Sequence, residues 1–111
     1  MSFTDSIKLC FAKYADFSGR AKRPEYWWFA LFCVIGSLLL EAVGSGVSWL
    51  FFLITLLPSL TVGSRRLHDL NKSGWMQLIW LIPLLGWIYM IYLLVQPGDA
   101  GDNQYGSPPA N

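Results

Sequence analysis

Three long apolar stretches, separated by short polar or turn-forming segments, set the plan of this chain. From Tyr26 to Val43 only Ser37 and Glu41 interrupt the apolar run. A helix of that length, at about 1.5 Å per residue, covers about 27 Å, close to the ~30 Å hydrocarbon thickness of a bilayer. Gly44-Ser45-Gly46 makes a turn too tight for a folded loop, and the apolar pattern resumes from Val47 to Val62. Pro58 lies in that second run, and the hydrogen bond it deletes must be restored in lipid by Thr55, Ser59 or a neighbouring helix. Trp75 to Val95 gives a third run. Pro83 and Gly86 predict a kink in its middle, with a broken or re-entrant segment as the alternative.

Ahead of these runs, Ile7, Cys10, Phe11, Tyr14 and Phe17 recur at spacings of three and four, which predicts an amphipathic helix over 4–17. It is too short to span and reads as an interfacial helix along the headgroups, with a plain surface helix as the alternative. Gly19 ends it. Pro24 and Glu25 suit the first turn of the next helix, and Tyr26-Trp27-Trp28 form an aromatic cluster of the membrane–water boundary type. The end of the chain, 98–111, is rich in Gly, Pro and turn formers and reads as a flexible, solvated tail.

Composition supports lipid as the solvent. Charged residues are 14% of the chain and apolar ones 54%, against about 25% charged in a soluble domain. The fold class is therefore an all-α membrane protein: three transmembrane helices, about 26–43, 47–62 and 75–95, preceded by a short amphipathic interfacial helix. Residues 1–97 form a single membrane domain with a polar loop over 64–74. No signal peptide is expected, because the first twenty residues lack a continuous apolar core. Cys10 and Cys33 lie at different depths and are read as free thiols.

The distribution of Lys and Arg sets the orientation. Five of the eight (Lys8, Lys13, Arg20, Lys22, Arg23) precede the first run, and Arg65, Arg66 and Lys72 lie between the second and third. The positive-inside rule puts the N-terminus and the 64–74 loop in the cytoplasm, and three spans then place the C-terminus outside, in the periplasm.

Three short motifs resemble a known family. Phe17-Ser18-Gly19-Arg20-Ala21-Lys22-Arg23 with Glu25-Tyr26-Trp27-Trp28-Phe29 is the first. Arg65-Arg66-Leu67-His68-Asp69 with Lys72-Ser73-Gly74-Trp75 is the second. Gln96-Pro97-Gly98 with Asn103 and Tyr105-Gly106 is the third. Together they are similar to the signatures of a small bacterial inner-membrane family typified by YhaH and YhaI, catalogued as domain of unknown function 805. Pro24 and Gln104 depart from its pattern. The resemblance implies a multi-pass inner-membrane protein and brings no established activity.

The candidate chemistry is thin. Arg20, Lys22, Arg23, Arg65, Arg66 and Lys72 form a basic cluster at one membrane face, each worth about 1 kcal/mol toward anionic headgroups. Arg20, Arg65 or Arg66 also has Asp16, Glu25 or Asp69 as an ion-pair partner. His68 and Asp69 offer at most two ligands where a metal site needs three or four, so they are read as structuring the loop, with no metal and no cofactor. Glu41 is the one ionisable residue inside a span and the candidate intramembrane titratable group. The leading expectation is a non-enzymatic component that binds anionic lipid or a membrane partner, itself or another protein, through the basic face. An oligomeric small-solute transporter or channel using Glu41, and an enzyme modifying lipid through His68 and Asp69, are the alternatives. Nucleic acid is excluded as a partner, since the basic patch is small and membrane-bound.

Overall fold

The computed structural model describes residues 1–109, and every regular element among them is a helix. Helix α1 covers Phe3–Ala12, α2 Arg23–Glu41 and α3 Ser45–Asp69. A 3₁₀ helix at Gly74–Leu81 and α4 at Leu85–Leu94 follow. Local chemistry explains the boundaries. Ser2 caps α1 by accepting from the Asp5 amide at 3.1 Å. Pro24 opens α2 beside Glu25. The α2–α3 turn is held by Gly44, whose amide donates to the Leu40 carbonyl at 3.0 Å.

α2 and α3 form an antiparallel pair, and α1 lies across both, with Phe11 edge-on to Phe29 and Phe32. The helix α3 runs through Pro58 without a partner for the Ile54 carbonyl four residues back. The Tyr14 hydroxyl, reaching from beyond the end of α1, donates to that carbonyl at 3.2 Å. The proline's missing bond is thus restored by the N-terminal segment, not by Thr55 or Ser59. Thr55 bonds to Phe51 of its own helix, and Ser59 lies 3.7 Å from the Cys33 thiol.

The expected 64–74 loop begins later than its polarity suggests. α3 stays helical to Asp69, so Arg65, Arg66, His68 and Asp69 sit on its last two turns, where cations suit the negative end of the helix dipole.

The third span is corrected. Residues 75–95 form no continuous helix. The 3₁₀ helix runs out along α3, the chain turns at Ile82–Leu84, and α4 returns. Pro83 forces Ile82 out of the helical region (φ −88°, ψ 109°). Leu84, at φ 64° and ψ −70°, closes a tight turn in which the Leu85 amide donates to the Pro83 carbonyl at 2.7 Å. Eight 3₁₀ residues at about 2.0 Å and ten α residues at about 1.5 Å reach only about 15 Å out and back. Both ends of the hairpin lie at the level of Ser64–Arg66, where Gly74 abuts Ser64 and the Leu94 carbonyl accepts from Arg66. By length and hydropathy, α3 alone among the described residues is long enough and apolar enough to cross a membrane. α2 opens on Arg23-Pro24-Glu25.

Candidate functional site

The polar end of the molecule is a set of buried ion pairs, and its arginines come from two segments distant in sequence. Arg20, just ahead of α2, donates from Nε to Asp69 Oδ1 at 2.9 Å. Arg66, one turn before Asp69 on α3, donates from Nη1 to Oδ2 at 3.1 Å. Asp69 is thereby saturated by two guanidinium groups. Arg65 pairs with Glu25 on the first turn of α2, and the Glu25 backbone carbonyl accepts from the Ser6 hydroxyl of α1 at 2.6 Å. The side chains of Arg20, Arg65 and Arg66 are 0% exposed. Arg65 keeps Nε and Nη2 without protein partners.

The remaining donors of the clasp bind the C-terminal segment. Arg20 Nη1 donates to the carbonyls of Gly101 and Gly106 at 2.8 and 3.1 Å, and Nη2 to that of Asp99 at 2.5 Å. Arg66 donates to the Leu94 carbonyl at 3.2 Å and to that of Gln96. The Asp99 amide closes the loop on the Asp69 carbonyl at 2.8 Å. Gly98 passes so close to the Asp69 carboxylate that a Cβ there would collide with it. Two expectations are corrected here. The 98–109 segment is irregular but docked, not a free solvated extension. It also lies on the same end as Arg20 and α3's last turns, so it does not occupy the face opposite the N-terminal segment. The cause is that the arginines' donors, once buried, need acceptors, and backbone carbonyls of the tail provide them. The expected end of the tail, 110–111, lies outside the described residues.

His68 and Asp69 are adjacent in sequence but face different partners. Asp69 faces the arginines. His68 Nδ1 lies 2.9 Å from the Gly19 carbonyl, and its ring stacks on Tyr105, with centroids 3.9 Å apart and planes 5° off parallel. Asn103 Nδ2 donates to the His68 carbonyl at 2.9 Å. Gly19 itself, at φ +84°, takes a conformation that glycine adopts without strain. His68 thus ties the first motif to the third. Asp16 is taken up locally by Ser18, whose hydroxyl and amide hold its carboxyl below the usual range. No group of three or more potential metal ligands occurs among the described residues.

The six candidate cations divide. Arg20, Arg65 and Arg66 are internal and cannot ring a membrane face. An unpaired buried cation is costly, and Glu25 and Asp69 lie within reach. Arg23 is exposed and donates to the Val95 carbonyl at 3.2 Å, while Lys22 and Lys72 are half-buried without ion-pair partners within 4 Å. Glu41, the last residue of α2, is exposed at the opposite end.

The polar end also carries a groove of about 600 Å³ between α3 and the 3₁₀ helix, with Leu60, Ser64, His68 and Leu78 in its lining. Gln77 of the 3₁₀ helix donates to the Leu60 carbonyl and the Ser64 hydroxyl at 3.1 and 2.9 Å and pins the two elements together.

Sequence reasoning named Tyr14 on the first helix and Tyr105 in the third motif but gave neither its role, and it missed the tail carbonyls altogether.

The molecule is inside-out relative to a soluble domain. Two arginines are its largest fully buried side chains, while Leu38, Val43, Leu81 and Leu85 are each at least 70% exposed. Charge inside and aliphatic surface outside define a small helical membrane protein. The chain belongs to the family described as protein of unknown function DUF805, which matches residues 14–107. It is 38% identical over 103 residues to inner membrane protein YhaI of Escherichia coli K12, covering 86% of this chain and 87% of that one. It is 35% identical over 107 residues to inner membrane protein YhaH of the same strain, covering 86% and 88%. No solved structure matches the chain.

Proposed function

We propose that the protein is a non-enzymatic, two-span component of the bacterial inner membrane that holds anionic lipid at its cytoplasmic face. α3 would cross the membrane. α2, 19 residues long and packed antiparallel on it, would cross beside it, with the charged Arg23 and Glu25 of its first turn kept at the polar end. The 3₁₀–α4 hairpin would enter to about half depth, and the N-terminal segment and the tail would share the cytoplasmic side. All eight Lys and Arg lie on α1 and its C-cap Lys13, in the 20–23 segment, on the last turns of α3 or at its junction with the hairpin, away from the Glu41 end of the α2–α3 pair, which fits the positive-inside rule.

The observation that carries the reading is the division of the cations. Three arginines are consumed in internal pairs, and Lys8, Lys13, Lys22, Arg23 and Lys72 are left without ion-pair partners. Each adds about 1 kcal/mol toward an anionic surface. The buried arginines act indirectly, by fixing the elements that present this rim. Transport finds less support: Glu41 is exposed at the far end of α2 and lines no passage among the described residues. A His–Asp enzyme finds less as well, since His68 and Asp69 turn to separate partners.

The test is native mass spectrometry of protein released from its membrane with bound lipid. A Lys8→Gln/Lys13→Gln/Lys22→Gln/Lys72→Gln variant is expected to lose most of the co-released phosphatidylglycerol. Retention equal to the original protein would reject the rim.

A further inference from the structure

The groove between α3 and the 3₁₀ helix has a polarity gradient along its length. Leu60, Ser64 and His68 are spaced four apart and lie one above another on a single face of α3. Trp75 and Leu78 are three apart on the 3₁₀ helix and eclipse one another. From the hairpin's tip toward the polar end, the lining passes from Leu60 and Leu78 to Ser64 and then to His68 and Ser73. Leu60 and Leu78 are 41% and 58% exposed, so the apolar end opens to whatever surrounds the helices. No Lys, Arg, Asp or Glu lines the groove.

The hydrogen-bonding groups left at the polar end combine one imidazole acceptor with several neutral donors. The Gly19 carbonyl can only accept, so His68 Nδ1 carries the proton facing it. In that tautomer Nε2 holds a free lone pair, and no described protein group bonds to it. The Ser73 oxygen accepts from the Trp75 amide at 3.2 Å, and its hydroxyl hydrogen has no protein acceptor among the described residues. The Ser64 oxygen accepts from Gln77, which leaves its hydroxyl hydrogen free. The groove therefore offers His68 Nε2 as a ring acceptor and neutral donors on Ser64, Ser73, Trp75 and Tyr105, with no Lys or Arg, above an apolar channel.

We propose that this groove seats one zwitterionic phospholipid of the phosphatidylethanolamine type. Its ammonium donates to His68 Nε2, a phosphate oxygen accepts from Ser73, and an acyl chain lies along Leu60 and Leu78. Phosphatidylglycerol offers that nitrogen only a neutral glycerol hydroxyl in place of a charged ammonium, and its net negative charge finds no Lys or Arg in the groove. The Tyr105 stack and the Gly19 contact hold the ring in the orientation that selects. This inference uses the membrane placement proposed above but does not depend on the cationic rim.

The experiment reconstitutes the full chain in nanodiscs of equal phosphatidylethanolamine and phosphatidylglycerol and counts co-released lipid by native mass spectrometry. The unmodified protein is expected to retain one phosphatidylethanolamine, preferred on the order of tenfold over phosphatidylglycerol. Leu78→Trp, at an exposed position, fills the apolar channel and removes that lipid. His68→Phe keeps a ring against Tyr105 and retains one lipid, but without preference between the two headgroups. Undiminished phosphatidylethanolamine in Leu78→Trp, or a preference unchanged in His68→Phe, overturns the assignment. So does phosphatidylglycerol as the lipid lost from the groove variant. The lysine variants of the preceding section should leave the phosphatidylethanolamine count at one, which separates failure of the rim from failure of the groove.

Discussion

Arg20 donates from Nε to Oδ1 of Asp69 at 2.9 Å, joining positions 49 residues apart through two side chains that are almost fully buried. The pair is the point at which the segment before α2, the end of α3 and the tail meet. A buried pair of this kind contributes little net stability when intact but a great deal when half of it is removed, because the survivor is stranded. Asp69→Asn strands two arginines. It should lower unfolding stability in detergent by about 3–5 kcal/mol. Lys72→Gln, on the half-buried rim, should stay within about 0.5 kcal/mol. Equal effects of the two substitutions would mean that the clasp is not a structural centre.

Leu84 sits at φ 64°, ψ −70° in the turn between the 3₁₀ helix and α4, a conformation strained for any residue with a Cβ. Its side chain is 62% exposed and packs little. Leu84→Gly should therefore raise stability, by about 1 kcal/mol, despite the loss of a large apolar side chain. A drop in melting temperature would indicate that the leucine is covered in the membrane by another surface.

Cys10 lies buried on α1 against Glu25. Burial first, and the Glu25 carboxylate second, push its thiol from 9.0 up to about 12. A folded value above the unfolded one means that the native state keeps a proton the unfolded state gives up. The contribution is complete below about pH 9 and disappears as pH rises from 9 toward 12. Native protein should resist iodoacetamide at pH 8 and react at Cys10 once unfolded. Above pH 9, a Cys10→Ser variant should lose less stability than the original protein, and identical pH profiles would contradict the assignment.

Sidedness is open to direct measurement. Lys72→Cys and Asp102→Cys should both react with a membrane-impermeant maleimide in inside-out vesicles, and Glu41→Cys only in right-side-out ones. Labelling of Asp102→Cys from the same side as Glu41→Cys would restore a third full crossing.

Helices α2 and α3 were legible because their apolar runs are long and their turn is marked by two glycines. The N-terminal helix was legible from its three–four spacing, although it stops at Ala12, before Tyr14 and Phe17. The third segment was ambiguous in a definable way. Pro83 and Gly86 mark a break, but hydropathy is blind to whether the chain continues outward or turns back. Charge counting then misplaced the tail, because it considers only the tail's own side chains. The groups that hold the tail are arginines elsewhere, and what they grip are carbonyls at Leu94, Gln96, Asp99, Gly101 and Gly106, which every sequence has. Gly98 was visible only as a member of the third motif, and its approach to the Asp69 carboxylate was not. That these arginines would find Glu25 or Asp69 was expected from the sequence, but which arginine takes which carboxylate, and that the pairs are buried rather than part of a surface patch, are matters of distance that composition does not record.

The clasp also sets a timetable. Arg20 emerges early in synthesis, yet its acceptor at Gly101 follows 81 positions later, about 4–16 s at ordinary elongation rates of roughly 5–20 residues per second. Asp69 arrives 49 positions after Arg20, and until the tail follows, the two Nη groups of the guanidinium lack their carbonyl acceptors and must rest on lipid phosphate, water or the insertion machinery. The 99–106 segment therefore acts as a latch, and a nascent chain that stalls short of it leaves Arg20 still waiting for its carbonyl acceptors.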